Sequence, residues 1–459
     1  MSVFSLSNLK KTWYYLQKNG IRNAVWAVLE RIGQEQEVYT WQEPDEKTLS
    51  FQREHSASLR ISIVVPAYRT KKEHLEAMLN SVSNQSYPHW ELIVADAGDT
   101  AESVQAWAKK NGICLREAAD ASNLAEWKDQ SIVLSTLSEN KGISANTNAG
   151  IELAAGDAVG LLDHDDLLTA NALWEVADCL EKEKKRGKQK LVLFSDEDKC
   201  DGAASRFYEP NFKPDFDGEL LLTNNYICHF TVIETAFLKE LKLRSGFDGA
   251  QDYDLVLRAY AAGGQFVHVP KVLYHWRCHE ASTASNPQSK RYAYEAGQRA
   301  LEDYCLRKGW KATVSGLKHL GFYREDYEDS VFCQRPEIGI WAKPLPGGRD
   351  VFGIRHPKGF LVSGLYENDG SMRYAGLRKG YSGPMHRAAL QQSAPAADLR
   401  SMEVCSALKE RYAQTIAELK EACQGLPTAA QETKILQKSM EFCKEATSAG
   451  YGILWDPQA

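Results

Sequence analysis

The stretch NKGISANTNAGIELAAGDAVGLLDHDDLLT, residues 140–169, joins a helical pattern, a short apolar strand and a cluster of carboxylates. Residues 145–153 are helix-compatible, Gly156 offers a stop, and 158–162 is an apolar run short enough for a buried strand. Asp163, Asp165 and Asp166 follow where such a strand ends, the edge at which open α/β sheets bind ligands. Side chains alternate along a strand, so Asp163 and Asp165 project together. Clustered carboxylates repel unless a cation or donors offset them, and hard divalent cations take oxygen ligands. An isolated DxD is more often a solvated acidic loop, so its surroundings have to decide.

Upstream, SIVVPAYRT reads as an apolar strand stopped by Pro66, followed by a helix over 72–84 with Leu75, Met78, Leu79 and Val82 on one face. WELIVADAGDT then supplies a strand over 92–95 with Asp96 at its end, and a helix through Val104, Trp107 and Ala108. Strand, helix, strand, helix with short connectors predicts a doubly wound, mostly parallel sheet flanked by helices, with right-handed crossovers. No GxGxxG follows the first strand, which removes the fingerprint of a dinucleotide-binding Rossmann domain. Instead Pro66, Ala67, Tyr68 and Asp96 fall at the same sheet edge as Asp163.

Composition narrows the class. The chain has 459 residues, 43% hydrophobic and 25% charged, with a net charge of −6, so it lacks the basic stripe of a nucleic-acid binder. Its 10 cysteines show no CxxC pair or zinc spacing, and no cleavable signal opens the chain, which fits a reducing cytoplasm. No apolar run nears the roughly 20 residues that span a bilayer, so membrane contact, at the inner face of the cell membrane, is peripheral at most. A homo-oligomer is compatible with these features. Residues 1–60 read as a helical preface. Leu9, Trp13, Leu16, Ile21, Val25 and Leu29 suggest an amphipathic hairpin broken near Gly20, which either packs on the following domain or rests on an anionic membrane.

Seven motifs occur in order: VVPAYRT, ADAGD, NKGISANTNAGIELAAGD, LLDHDDLL, SDEDK, FDGAQDYDLVLR and LYHWRCH. Together, over residues 61–285, they resemble the glycosyltransferase family 2 enzymes of GT-A (Rossmann-like) fold. The likeness is greatest to the bacterial branch that builds O-antigen and related surface polysaccharides, rhamnosyltransferase-like members included. The resemblance implies inverting transfer from a nucleotide-sugar donor to a glycan or lipid-linked glycan, aided by Mg²⁺ or Mn²⁺. It implies that Pro66, Ala67 and Tyr68 line the nucleobase, that Asp96 accepts a hydrogen bond from the base, and that Asn148 joins the donor-binding residues. Asp163 and Asp165 match the DxD pair on ribose, metal and diphosphate, and Asp252 matches the catalytic base. The family usually carries Glu before that base, where this chain has Gln251.

Some positions keep two readings. A carboxylate in the first turn of a helix over 253–260 also serves as a cap, a role for Asp254 or shared with Asp252. His275 is either a further metal ligand or a histidine satisfied in its loop, and Arg277 a diphosphate partner. The carboxylates of SDEDK, 195–199, bind the donor sugar or cap a loop. The aromatics, amides and prolines of 208–230 suit an acceptor-binding surface.

A helix over 292–308 is expected to pack across the catalytic domain, residues 61–310. Gly- and Pro-rich text at 336–357 marks a boundary. HPKGFLVSGLYENDGSMRYAGLRKGYSGPMHR resembles the middle of a second family 2 domain, and MEFCKEATSAGYGILWDPQA echoes YDLVLRAYAAGGQFVHVPKV as helix, glycine turn and strand. Residues 311–459 therefore read as a smaller, degenerate, truncated GT-A-like domain without a VVPAY strand or DxD. The alternative from another class is a non-catalytic sugar-binding or assembly scaffold. A nucleotidyltransferase would want a glycine-rich loop where PAYRTKKE stands.

Overall fold

The computed structural model describes residues 39–119, 127–278, 291–316, 321–342, 364–365, 402–422 and most of 438–455. The amphipathic pattern read in residues 1–38 lies outside them. Ten strands form the main sheet: β1 (Ile61–Ala67), β2 (Trp90–Asp96), β3 (Cys114–Glu117), β4 (Ser131–Thr136), β5 (Ala158–Leu161), β6 (Leu167–Leu168), β7 (Leu191–Cys200), β8 (Phe207–Asn211), β9 (Thr231–Glu234) and β10 (Gln265–Arg277). Their order is β3-β4-β2-β1-β5-β9-β7-β10-β6, with β8 paired to β7.

The half from β3 to β5 is parallel throughout. β2 is buried along its whole length, and β1 at every residue but Pro66, as strands covered by helices on both faces require. The helix Lys72–Ser83 buries Leu75, Met78, Leu79 and Val82, and Ala101–Asn111 buries Val104, Trp107 and Ala108, as their spacing predicts. The helix Ile143–Leu153 starts two residues before its expected start and lies so close to the sheet that a Cβ on Gly150 would stand 2.7 Å from Val64 Cγ1. Beyond β5 the rule of parallel strands breaks, because β9 runs antiparallel to both β5 and β7.

This topology gathers the polar strand ends. Ala67 pairs with Asp96 and Val64 with Leu161, so the β1 and β2 termini sit beside the acidic loop that follows β5. Among the described residues no helix is long and apolar enough to cross a membrane, and their cysteines are free thiols.

The helix Arg291–Arg307 packs across the domain as expected, burying Ala296, Ala300, Leu301 and Tyr304 against Tyr253, Val256 and Leu257. The hairpin Ala312–Gly316/Tyr323–Tyr327 joins the same core through Val314 and Tyr323. A division at 310/311 therefore cuts through packed structure. Further on, Arg335 reaches back to Glu219 at the start of the helix Gly218–Thr223, a bidentate pair in which both residues are about 95% buried. Removing one partner of such a pair strands a buried charge, so Arg335→Met is expected to cost about 3–5 kcal/mol in denaturant unfolding. A loss below ~1 kcal/mol would show that the contact does not hold the segment down.

A second, four-stranded sheet places Ile338–Ala342 between Met402–Val404 (antiparallel) and Gly452–Trp455 (parallel), with Gly364–Leu365 beyond. Helical residues 441–443 and 445–446 lead through Gly450, at φ +89°, into that last strand, the helix, glycine turn and strand read in the sequence. Most of HPKGFLVSGLYENDGSMRYAGLRKGYSGPMHR lies outside the described residues.

Candidate active site

The site is built on the ends of β1, β2, β5, β7 and β10 and on the loop that precedes β9. At the end of β1 Tyr68 is exposed, its ring beneath the Arg69 guanidinium at 5.1 Å. Gly98 in the next loop is needed there, since a Cβ would meet Arg69 N at 3.0 Å and Tyr68 Cδ2 at 3.2 Å. Asp96 is fully buried, and its carboxylate accepts from Gly98 N, Thr100 N, Thr100 Oγ1 and Ala101 N. It thus closes the turn and caps the helix Ala101–Asn111. Asn148, expected beside the donor, is instead a clamp: its Nδ2 donates to Leu243 O and its Oδ1 accepts from Leu243 N, both at 2.8 Å. That correction follows from its helix face, which meets the loop before residue 244.

The acidic loop is held by Tyr274 and Arg277 of β10. Tyr274 Oη donates to Asp166 Oδ2 at 2.5 Å and accepts from Asp163 N at 3.4 Å. Arg277 N donates to Asp166 Oδ1, its Nε to Asp165 O and its Nη1 to Gly202 O. The remaining Arg277 Nη2 is buried and has no partner among the described residues.

Asp163, Asp166 and His229 each present a ligand atom, all within 4.8 Å of one another. Burial, then the neighbouring Asp165 and Asp163 charges, push the Asp166 carboxyl well above its usual range. Asp163 is also raised, by burial and the charges of Asp165 and Asp252, with His229 opposing. Carboxylates so crowded and desolvated are what a divalent cation relieves, and one imidazole with two carboxylates suits Mn²⁺.

The histidine in this cluster is His229, whereas His275, read either as a metal ligand or as a histidine satisfied in its loop, has other partners. His275 is buried with Nδ1 2.5 Å from Asp198 Oδ1, and its ring packs on Phe207 and Trp41, while Asp198 Oδ2 accepts from Tyr39 Oη at 2.7 Å. It is therefore satisfied away from the cluster. His229 stands there because β9 threads between β5 and β7, carrying the end of the 224–230 loop to the acidic edge. Its ring stacks on Tyr274, centroids 4.6 Å apart and planes 10° apart. Its Nδ1 is 3.0 Å from Glu197 Oε2, and Nε2 lies 3.6 Å from Cys228 Sγ. Burial works to lower the His229 pKa, yet it is held well above the ordinary value. Since burial also pushes the Cys228 thiol up to about 11 and keeps it neutral, the opposing charge is that of Glu197.

Of the two readings of SDEDK, holding a loop is seen at Asp196, and its other carboxylates have further partners. Asp196 accepts from Lys213 N and faces His268 Nε2, both at 2.8 Å, and Asp198 holds His275. Glu197, on the other strand face, meets His229, Lys213 and Asn211. Burial raises its carboxyl, but Lys213 and His229 outweigh that and hold it at about 2. Much of 208–230, expected to be an open acceptor surface, is core: Leu220, Leu221, Leu222, Tyr226, Ile227 and Phe230 are buried. Its contributions to the site are Asn211, Lys213, Asn225, Cys228 and His229.

Asp252 opens the helix Gln251–Ala261 but does not cap it. Its Oδ2 accepts from Asn225 Nδ2 at 2.7 Å and lies 3.5 Å from Cys228 Sγ. Asp254 is buried between Arg244 and Arg258, so it too has a job other than capping. Asp252 reaches the cluster through Cys228, whose Sγ lies 3.5 Å from Asp252 Oδ2 and 3.6 Å from His229 Nε2.

Part of the chain is similar to known proteins. The family model described as Glycosyl transferase family 2 matches residues 62–241. The chain is 37% identical over 255 residues to the uncharacterized protein y4gI of Sinorhizobium fredii, covering 55% of this chain and 26% of that protein. It is 34% identical over 256 residues to the O-antigen biosynthesis protein RfbC of Myxococcus xanthus, covering 56% and 19%. To the amylovoran biosynthesis glycosyltransferase AmsB of Erwinia amylovora it is 28% identical, covering 47% and 70%. The chain thus spans about a quarter or less of the first two relatives. A crystal structure of Staphylococcus aureus TarS 1-349 in complex with UDP-GlcNAc shares 19% identity at a TM-score of 0.41, covering 54% of this chain and 67% of that one. With strand order, acidic loop and family match pointing the same way, the chain carries a domain of glycosyl transferase family 2, in the GT-A fold.

Proposed function

We propose that this domain transfers a sugar, with inversion, from a nucleotide-sugar to a hydroxyl of a glycan or lipid-linked glycan acceptor during synthesis of a bacterial surface polysaccharide, at the cytoplasmic face of the membrane. The observation that carries the proposal is the convergence of Asp163, Asp166 and His229 within 4.8 Å, with Asp252 joined to that histidine through the Cys228 thiol. The names of the RfbC and AmsB relatives favour the polysaccharide setting. Free thiols throughout the described residues suit a reducing compartment.

In this reading Pro66, Ala67 and the exposed Tyr68 line the nucleobase. Asp96 shapes that pocket by fixing the turn from Gly98 to Ala101, and a direct contact to the base falls to it only if the turn opens. Asp163, Asp166 and His229 would hold Mg²⁺ or Mn²⁺, and the Asp165 carboxylate adds negative charge beside them. Such an ion, when bound, offsets the charge that builds on the leaving diphosphate. Arg277, anchored through Nε and Nη1, has Nη2 left over to donate to a phosphate oxygen. Asp252 takes the proton of the attacking hydroxyl, because a sugar hydroxyl is a weak nucleophile at neutral pH. Asn225 holds one carboxylate oxygen of Asp252, leaving Oδ1 for that proton.

A panel of UDP-, GDP- and dTDP-sugars, each with Mn²⁺, tests the reading by thermal shift. The matching donor at 100 times its Kd stabilises the protein by about 2.7 kcal/mol, and EDTA removes the shift. A panel in which no nucleotide-sugar shifts the transition would overturn the proposal.

A further inference from the structure

Glu197 and Lys213 lie beside the cluster and are buried. Glu197 is tied at both oxygens, Oε1 accepting from Asn211 Nδ2 at 3.2 Å and Oε2 facing His229 Nδ1 at 3.0 Å. Lys213 Nζ donates to Ile227 O at 2.6 Å and to His229 O, with Glu197 Oε2 3.5 Å away. One ammonium thus staples the backbone on both sides of Cys228 while balancing the charge of Glu197. On the other side Tyr274 bears flat on the imidazole and hydrogen-bonds to Asp166.

We infer that Glu197, supported by Lys213, is a positioning residue for His229, an outer carboxylate that keeps the proton on Nδ1 and reserves Nε2 for the cation. A carboxylate behind a ligating imidazole sets its tautomer and ring orientation and raises its basicity, and losing it commonly costs 10–100-fold in metal affinity. A buried Glu–Lys pair is an expensive way to fill space, since apolar residues of similar volume serve stability at least as well. Its placement directly behind a ring in the aspartate cluster accounts for it. The inference rests on the proposed metal site, and its test separates the two.

The test is Mn²⁺ binding to the whole chain, without nucleotide, read from the loss of the free Mn²⁺ EPR signal. Wild type binds, His229→Ala weakens binding at least tenfold, and Glu197→Gln, nearly isosteric but uncharged, weakens it 10–100-fold. Imidazole ¹⁵N spectra of the metal-free protein, taken at alkaline pH where the ring is neutral, show the one remaining proton of His229 on Nδ1, and that signature is lost in Glu197→Gln. Should Glu197→Gln fold poorly, Asn211→Ala loosens the same carboxylate without removing its charge and weakens Mn²⁺ binding about three- to tenfold. Wild type without Mn²⁺ affinity overturns the metal site and the inference together. Wild-type affinity in His229→Ala leaves an aspartate site but sinks the inference. Loss of affinity in His229→Ala with Glu197→Gln and Asn211→Ala both within twofold of wild type sinks the inference alone.

Discussion

Asp252→Asn is expected to lower kcat by roughly 10²–10⁴, the usual loss for a general base, while the donor's KM hardly changes. The structure sharpens this expectation. Asn keeps an acceptor for Asn225 Nδ2, so the helix Gln251–Ala261 and its neighbours stay in place. The competing idea, that Asp252 is a helix cap, predicts wild-type turnover, because Asn caps as well as Asp. No side-chain cap bond is made by either Asp252 or Asp254, and Asp254 is occupied by Arg244 and Arg258. The measurement is a steady-state assay with the donor chosen by the thermal screen, alongside product analysis at the anomeric carbon. Turnover within a few-fold of wild type removes Asp252 from the chemistry, and a retained anomeric configuration removes the single displacement.

Much of this was legible in local pattern. The apolar runs at β1, β2 and β5, the helices between them and the acidic stop after Leu162 each depend on neighbours in sequence, so periodicity and turn residues suffice. The carboxylates at 163, 165 and 166 were found that way, and so was the loop-to-helix setting of Asp252. The histidine was not. Seeing that His229 lies among those carboxylates requires knowing that β9 enters the sheet antiparallel between β5 and β7, and a four-residue strand, TVIE, carries no such information. Asn148 failed for a related reason: which face of the helix Ile143–Leu153 meets the 243 loop is a tertiary fact. SDEDK shows the limit from another side. Strand alternation separates Glu197 from Asp196 and Asp198, but only the partners Lys213, His268 and His275, brought from elsewhere, say what each carboxylate does.

The largest effect on ligand binding is expected at the acidic loop, where the structure and a bare DxD motif disagree about which carboxylates matter. A DxD reading makes Asp163 and Asp165 the metal pair. The geometry instead joins Asp163 to Asp166 and His229, while Asp165 contributes its backbone oxygen to Arg277 and its charge to its neighbours. Asp163→Asn removes one anionic ligand from a set of three, and Mn²⁺ affinity should fall by at least 100-fold, taking Mn²⁺-dependent nucleotide-sugar binding with it. The substitution should not unfold the protein, because the contact of Asp163 with Tyr274 is through its backbone N–H. Its stability should even rise slightly without metal, since Asn removes the cost of burying that carboxylate, the main cause of its raised pKa, and with it the repulsion of its acidic neighbours. Asp165→Asn, by contrast, should weaken Mn²⁺ by less than tenfold, the effect of a nearby charge rather than of a ligand. Calorimetric titration of Mn²⁺ into the two variants decides between the sets. Equal, large losses at Asp163 and Asp165 would restore the simple DxD pair, whereas a loss confined to Asp163, and repeated in His229→Ala, places the cation between β5 and β9.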